Sequence, residues 1–168
     1  MNKYFGVKFD NTMSWAFHVD YLAKNVSKRI GVIRRVKHFL PHSTLIMLSK
    51  ALVIPHFDYA SPVWSNCSQT CRSKLQILQN RLARVILSAD IRTPVIDMMH
   101  DLQWLKLSDR WNVQTLVIVF KCLRGISPPY LCSKFDFVHN HHSHATRNLT
   151  SNTLFIPKVN SNSGMRTF

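Results

Sequence analysis

The stretch that most constrains the fold is Lys74 to Leu87, KLQILQNRLARVIL. Leu75, Leu78, Leu82, Val85 and Ile86 recur at steps of three and four residues, the spacing that lines side chains along one face of an α-helix. Lys74, Gln76, Gln79, Asn80, Arg81 and Arg84 fall largely off that stripe, and no acidic side chain interrupts it. Such a helix must bury its stripe against other elements. The helix is predicted from about Gln69 to Leu87, with Ser65 to Ser68 as the turn before it, and the rest of the chain is read as arranged around it.

A second long helix is predicted from Trp15 to about Phe39, with Ser14 as its N-cap and Val19, Leu22, Val26, Ile30 and Ile33 as its buried stripe. Lys24, Lys28, Arg29, Arg34, Arg35 and Lys37 crowd its remaining surface. Gly31 weakens the helix by roughly 1 kcal/mol relative to Ala, or serves close packing. Pro41 closes the element. A helix capped by Ser43 follows, with Leu45, Ile46, Leu48, Leu52 and Val53 apolar on most sides, which predicts a central position. Pro55 and Pro62 interrupt the aromatic segment after it. Thr93-Pro94 starts a short helix, Val95 to Leu102, with Ile96, Met99 and Leu102 turned inward. Ser108 is the expected cap of a last strong helix, Asp109 to Leu123, heavily buried through Trp111, Leu116, Val117, Val119, Phe120 and Leu123, with Gly125 ending it at C′. Tyr130 to Phe135 is a final short segment.

The two ends differ. Tyr4 to Phe9 reads as one short strand with no convincing partner, the expectation being a strand cut from a larger sheet. From Asp136 the chain is polar, rich in Asn, Ser, Thr and His, and without periodicity. The expected fold is mainly α, a bundle of four or five helices with a short N-terminal strand and an irregular C-terminal tail. The domain reading is 1–13, 14–135 and 136–168.

Charge narrows the partners. The 168 residues carry 22 Lys and Arg against 8 acids, all of them Asp, for a formal net charge of +14. A chain this basic repels itself unless something acidic covers it. Nucleic acid is the first expected partner, followed by an anionic membrane surface or an acidic protein. The most apolar stretch near the middle, Leu45 to Pro55, is too short to span a bilayer. MNKYFGVKFD lacks the apolar run of a signal peptide. Four cysteines, Cys67, Cys71, Cys122 and Cys132, are too sparse for a secreted disulfide scaffold, so reduced thiols in the cytosol or nucleus fit better.

Other constellations carry less. Cys67 and Cys71, with Cys122, Cys132 and His139, His141, His142 and His144, have the residue types of a zinc site but no zinc-finger spacing, so free thiols and a polar loop are expected. Below an ordinary histidine pKa of about 6.5 those histidines add positive charge. His56, Phe57, Tyr59 and Trp64 suit base stacking, but aromatics at helical spacing are expected to pack as core. Ser61, His56 and Asp58 make a triad on paper only, without a nucleophile elbow. The four glycines are isolated, so there is no phosphate loop.

Several blocks in order carry a family likeness: YFGVKFDNTMSWAFHV, SKRIGVIRRVKHFLPHSTL, KALVIPHFDYASPVW, KLQILQNRLARVIL, then Thr93-Pro94, DLQWLKLSDRW, FKCLRGISPPYL and PKVNSNSGMRTF. Together they resemble the reverse transcriptases of non-LTR retrotransposons, the jockey-like and chicken-repeat-like LINE elements in particular, over essentially the whole chain. The resemblance implies that residues 1–13 are a remnant of the palm's last strand and that the helices form the thumb and the region beyond it. The family polymerizes DNA on an RNA template with a tyrosine-X-Asp-Asp turn and a further Asp holding two divalent metals, Mg in the intact parent. This chain has no Asp-Asp pair, and Asp10, Asp20 and Asp58 match no such motif. The resemblance therefore implies a truncated piece with no catalytic residues and no cofactor. That piece would bind RNA or an RNA–DNA hybrid through Lys24, Lys28, Arg29, Arg34, Arg35 and Lys37, with Lys74, Arg81 and Arg84 as a second set beside Arg72. The alternative is a helical protein-interaction module that docks on the missing palm and fingers or self-associates.

Overall fold

In a computed structural model, which describes residues 2–140, 153–156, 158 and 160, two long helices lie side by side. Helix α1 is Ala16–Val36 and helix α5 is Gln69–Leu87. They run in the same direction. Near their starts Lys74 Nζ donates to Asp20 Oδ1 at 2.5 Å, and just past their ends Lys37 Nζ donates to Ser88 Oγ at 3.4 Å. Both predicted stripes are buried: Val19, Leu22, Val26, Ile30 and Ile33 of α1, and Leu75, Leu78, Leu82, Val85 and Ile86 of α5. Each such side chain removed from water stabilises the fold by about 1.5–3 kcal/mol before entropy is counted.

The other elements of this unit complete the core. Helix α2 is His42–Leu52, α3 is Ile54–Asp58, α4 is Ser61–Trp64 and α6 is Val95–Asp101. Pro55 and Pro62 each sit in the first turn of a new short helix, where a missing N–H costs nothing. Ser68 caps α5, its Oγ accepting from Cys71 N at 3.4 Å. Phe57 and Trp64 fill the middle, with Trp64 and Trp111 in an edge-to-face pair at 5.1 Å.

The mainly helical architecture stands, and several local expectations are corrected. Tyr4–Phe9 is not an unpaired strand. Strands β1 (Asn2–Tyr4) and β2 (Val7–Phe9) pair antiparallel with each other, Tyr4 opposite Val7. Phe5 and Gly6, both at positive φ (43° and 84°), form the two-residue turn that matches the strands' twist. Helix α2 is peripheral, because only Leu45 and Ser49 are buried while Met47 and Leu52 face out. In α6 the inward side chains are Met98 and Met99, with Leu102 just beyond, and Ile96 points to solvent. The proposed caps are each displaced by a residue or so. Trp15 holds the N-cap position of α1 in the left-handed region, Pro41 that of α2 and Pro94 that of α6.

Helix α7, Leu107–Leu123, begins before Ser108 and crosses from one compact unit, Met1–Asn112, to the other, Val113–Phe168. In the second unit the expected heavy burial is absent: Val113, Leu116, Val117, Phe120 and Leu123 are exposed, and Cys122 is buried. Gly125 ends α7 as expected, at φ 67°, with Gly125 N bonded to Cys122 O and Ile126 N to Lys121 O. Helix α8, Pro129–Cys132, and a 3-10 turn at Val138–Asn140 follow, and Phe137 bridges Leu154. His141, His142, His144, Pro157 and Phe168 lie outside the described residues.

Candidate nucleic-acid interface

The α1 cations fall into distinct rows. Lys24, Lys28 and Arg35, spaced by four and seven residues, are exposed on the face away from the buried stripe. Over the steps from Lys24 to Lys37 the helix advances about 20 Å, enough to follow several phosphates of one strand. Arg34 is exposed and shares a seven-residue row with Asp20 and Ser27, the row that meets α5. Arg29 is half-buried. Its guanidinium reaches Asn25 O at 3.5 Å, and its charge helps hold His56 below the usual histidine pKa, after burial as the larger cause. Lys37 is half-buried at the helix end beside Ser88.

The α5 set is less available. Lys74 is exposed but committed to Asp20. Arg81, one seven-residue step further along the same row, is exposed. Arg84 is half-buried, with Nη2 3.5 Å from Ile91 O and a buried Nε that has no hydrogen-bond partner among the described residues. Asp20 is the only acid on either helix, so the groove between α1 and α5 is neutralised at its start and strongly positive beyond.

The polar groups of α5 that the sequence places off its stripe turn out to be structural. Gln79 is buried, and its amide donates to Leu105 O at 2.9 Å. Gln76 donates to Gln79 Oε1 and Asn80 Oδ1, and its Oε1 accepts from Leu107 N at 3.0 Å. These bonds pin the start of α7 to α5. A signal was present for Gln79, four residues after Leu75 and three before Leu82.

His18 was also missed, although it stands four residues before Leu22 on the buried stripe. Its Nδ1 accepts from Lys8 N of β2 at 3.3 Å, which leaves the proton on Nε2, a buried atom without a hydrogen-bond partner among the described residues. Burial first, then the Lys8 charge, pushes its pKa down to about 4, so the ring is neutral near pH 7.

The remaining candidates separate. Phe57 and Trp64 are core as expected, while Tyr59 is exposed and its hydroxyl donates to Phe5 O at 2.7 Å. Ser61 is buried and Asp58 is bound to Arg110, so the paper triad does not assemble as a reactive site. Burial, with a smaller push from Cys71, raises the Cys67 thiol to about 11, which keeps it protonated. All four cysteines are free, and among the described residues no three His, Cys, Asp or Glu side chains gather as a metal-holding group. No described helix is long and apolar enough to cross a membrane. Comparison of the chain with protein-family models, with curated proteins and with solved structures gives no match.

Proposed function

We propose that the chain is a thumb-like piece of a non-LTR retrotransposon reverse transcriptase. In this reading it holds RNA or an RNA–DNA hybrid by the backbone and has no polymerase centre of its own. The observation that carries the reading is the exposed cation set of α1. Lys24, Lys28, Arg34 and Arg35 are exposed on one rigid helix whose only acid is already paired with Lys74. Point charges on a helix suit recognition of phosphates without base readout. The ordered sequence blocks supply the family, and the absence of an Asp-Asp pair supports the lack of catalysis by this chain alone.

Filter binding of the purified chain to an RNA–DNA hybrid across a salt series tests this. Tight binding at low salt that weakens steeply with added salt is expected, and Lys24→Ala/Lys28→Ala/Arg35→Ala lowers the slope by about 2–3. No binding at low salt, or binding indifferent to salt, overturns it.

A second reading has its own support. The exposed apolar row Val113, Leu116, Val117, Phe120 and Leu123 suits a helical interaction module that docks on palm and fingers domains or self-associates. Strong concentration-dependent self-association in light scattering, without affinity for nucleic acid, selects this reading instead.

A further inference from the structure

A cleft of about 290 Å³ lies between the first turns of α5 and the start of α7, within the first compact unit. Arg72, Ser73 and Gln69 line it from α5, and Lys106 and Ser108 from the α7 side, over a floor that includes Leu107 and Trp111. Gln76 also borders it, but its amide is used up in holding Leu107 N, Gln79 and Asn80. That commitment holds the start of α7, with Lys106, against α5.

The charges of this cleft are poorly matched within the protein. Arg72 lies beside the Cys67 thiol, and its Nε is buried with no hydrogen-bond partner among the described residues. Lys106 is exposed, and no carboxylate is among the lining residues. Asp109 is adjacent in sequence and accepts a hydrogen bond from Ser108 Oγ at 3.2 Å. Two cations from separate elements, with hydroxyl and amide donors around them and no carboxylate in the lining, form a pocket for a doubly coordinated oxyanion.

We infer that this cleft holds a backbone phosphate of a bound nucleic-acid strand, with Arg72 and Lys106 gripping it and Ser73 donating to its oxygens. The inference rests on the nucleic-acid reading above and extends it. The footprint does not stop at the α1 row but crosses the exposed face of α5, past Arg81 and Arg84, to the opposite side of that helix. Phosphate contact there is sequence-independent, and it fixes where along the chain the strand lies.

The test compares hybrid binding by the full chain across a salt series for three proteins: the wild type, Arg72→Ala/Lys106→Ala, and Lys24→Ala/Lys28→Ala/Arg35→Ala. Loss of this one phosphate contact is expected to lower the slope of log K against log salt by about 0.9 for a B-like duplex and somewhat less for a single strand. The single Lys106→Gln, at an exposed position, is expected to remove about half of that, and it guards against misfolding of the double variant. Arg72→Lys/Lys106→Arg, which keeps both charges, should keep most of the slope. A wild type that binds with an unaltered slope and Kd in both Arg72→Ala/Lys106→Ala and Lys106→Gln, while the α1 variant is weakened, overturns this site and leaves the broader reading intact. A wild type that binds no hybrid overturns both.

Discussion

Arg110 grips Asp58 with two parallel hydrogen bonds, Nε to Oδ1 at 2.5 Å and Nη2 to Oδ2 at 2.6 Å, across 52 residues of chain. The next residue, Trp111, donates from Nε1 to Phe57 O at 2.8 Å, so two adjacent α7 residues are tied to the last two residues of α3. A carboxylate at a helix C-terminus is ordinarily unfavourable, and the guanidinium offsets it. Hydrogen bonding to Asp58 raises the Arg110 pKa, so the guanidinium keeps its charge. Both side chains are partly exposed, at 36% and 23%, which limits the worth of the pair. Asp58→Asn is expected to lower stability by about 1–2 kcal/mol. A cycle with Arg110→Met, read by urea unfolding, should show coupling between the two sites, and additive effects would show that the pair contributes nothing as a pair.

Gly31 offers the opposite effect. A Cβ built there meets nothing within 4 Å, and the residue sits inside α1, so the close-packing reason for a glycine does not apply. Gly31→Ala is expected to raise stability by about 0.5–1 kcal/mol by reducing the freedom of the unfolded chain. Thermal unfolding followed by circular dichroism should show a higher Tm, and a lower one would mean that α1 is packed differently there.

At the end of α5, Ser88 takes the left-handed conformation at φ 50°, and Ala89 N closes back on Arg84 O at 3.1 Å. This is the position where helices favour glycine, since any Cβ is strained there. Ser88→Gly is expected to stabilise by about 1 kcal/mol, less the small loss of the exposed Lys37 contact. Ser88→Val should destabilise, and the two variants moving in the same direction in chemical denaturation would refute the strain.

Apolar spacing made the two long helices legible because both have one buried face and a polar remainder, and α5 keeps its predicted ends. The same reasoning failed where composition was uniform. α2 and the second half of α7 are apolar on several sides, so spacing alone did not say which side packs, and much of each remains exposed. It failed again where polar groups are structural. His18 and Gln79 occupy buried stripe positions, yet their chemistry suggests solvent until partners such as Lys8 N and Leu105 O are known. The hairpin was hidden because its strands are three residues each and its turn uses Phe5-Gly6 rather than a common turn pair. The cation rows were legible as charge, but the Asp20–Lys74 pair and the Arg72–Lys106 cleft depend on which residues face each other across elements.

His18 gives the fold an acid sensitivity. An unfolded histidine titrates near pH 6.5, whereas the buried ring titrates at about 4. Between those values the unfolded chain binds more protons, so stability rises with pH there. The contribution is complete above about pH 6.5, is lost progressively as pH falls, and levels off below about pH 4 at a total of about 3 kcal/mol. Protonation also costs the Lys8 N bond, so β2 should loosen from α1 first. Hydrogen exchange at the Lys8 amide should accelerate as pH drops from 6.5 to 4 relative to the intrinsic rate, and His18→Gln should flatten the pH dependence of urea unfolding. An unchanged pH profile in that variant would place the sensitivity elsewhere.

The Asp20–Lys74 pair bears directly on nucleic-acid binding. It is exposed on both sides, 52% for Lys74 and 63% for Asp20, so it adds little to stability in water. Its electrostatic effect is larger: the one acid on either long helix cancels the one cation of α5 that stands at the mouth of the groove. Asp20→Asn removes that cancellation without disturbing the buried stripe. The variant is expected to bind an RNA–DNA hybrid more tightly, with the salt slope raised by up to about 0.9, the value of one further phosphate contact. Lys74→Met should do the reverse, since it leaves Asp20 uncompensated beside the strand, and affinity should fall at low salt. Asp20→Asn/Lys74→Met restores a neutral groove mouth and should bind like the wild type. If Asp20→Asn leaves both Kd and slope unchanged, the strand does not pass this end of the α1–α5 groove.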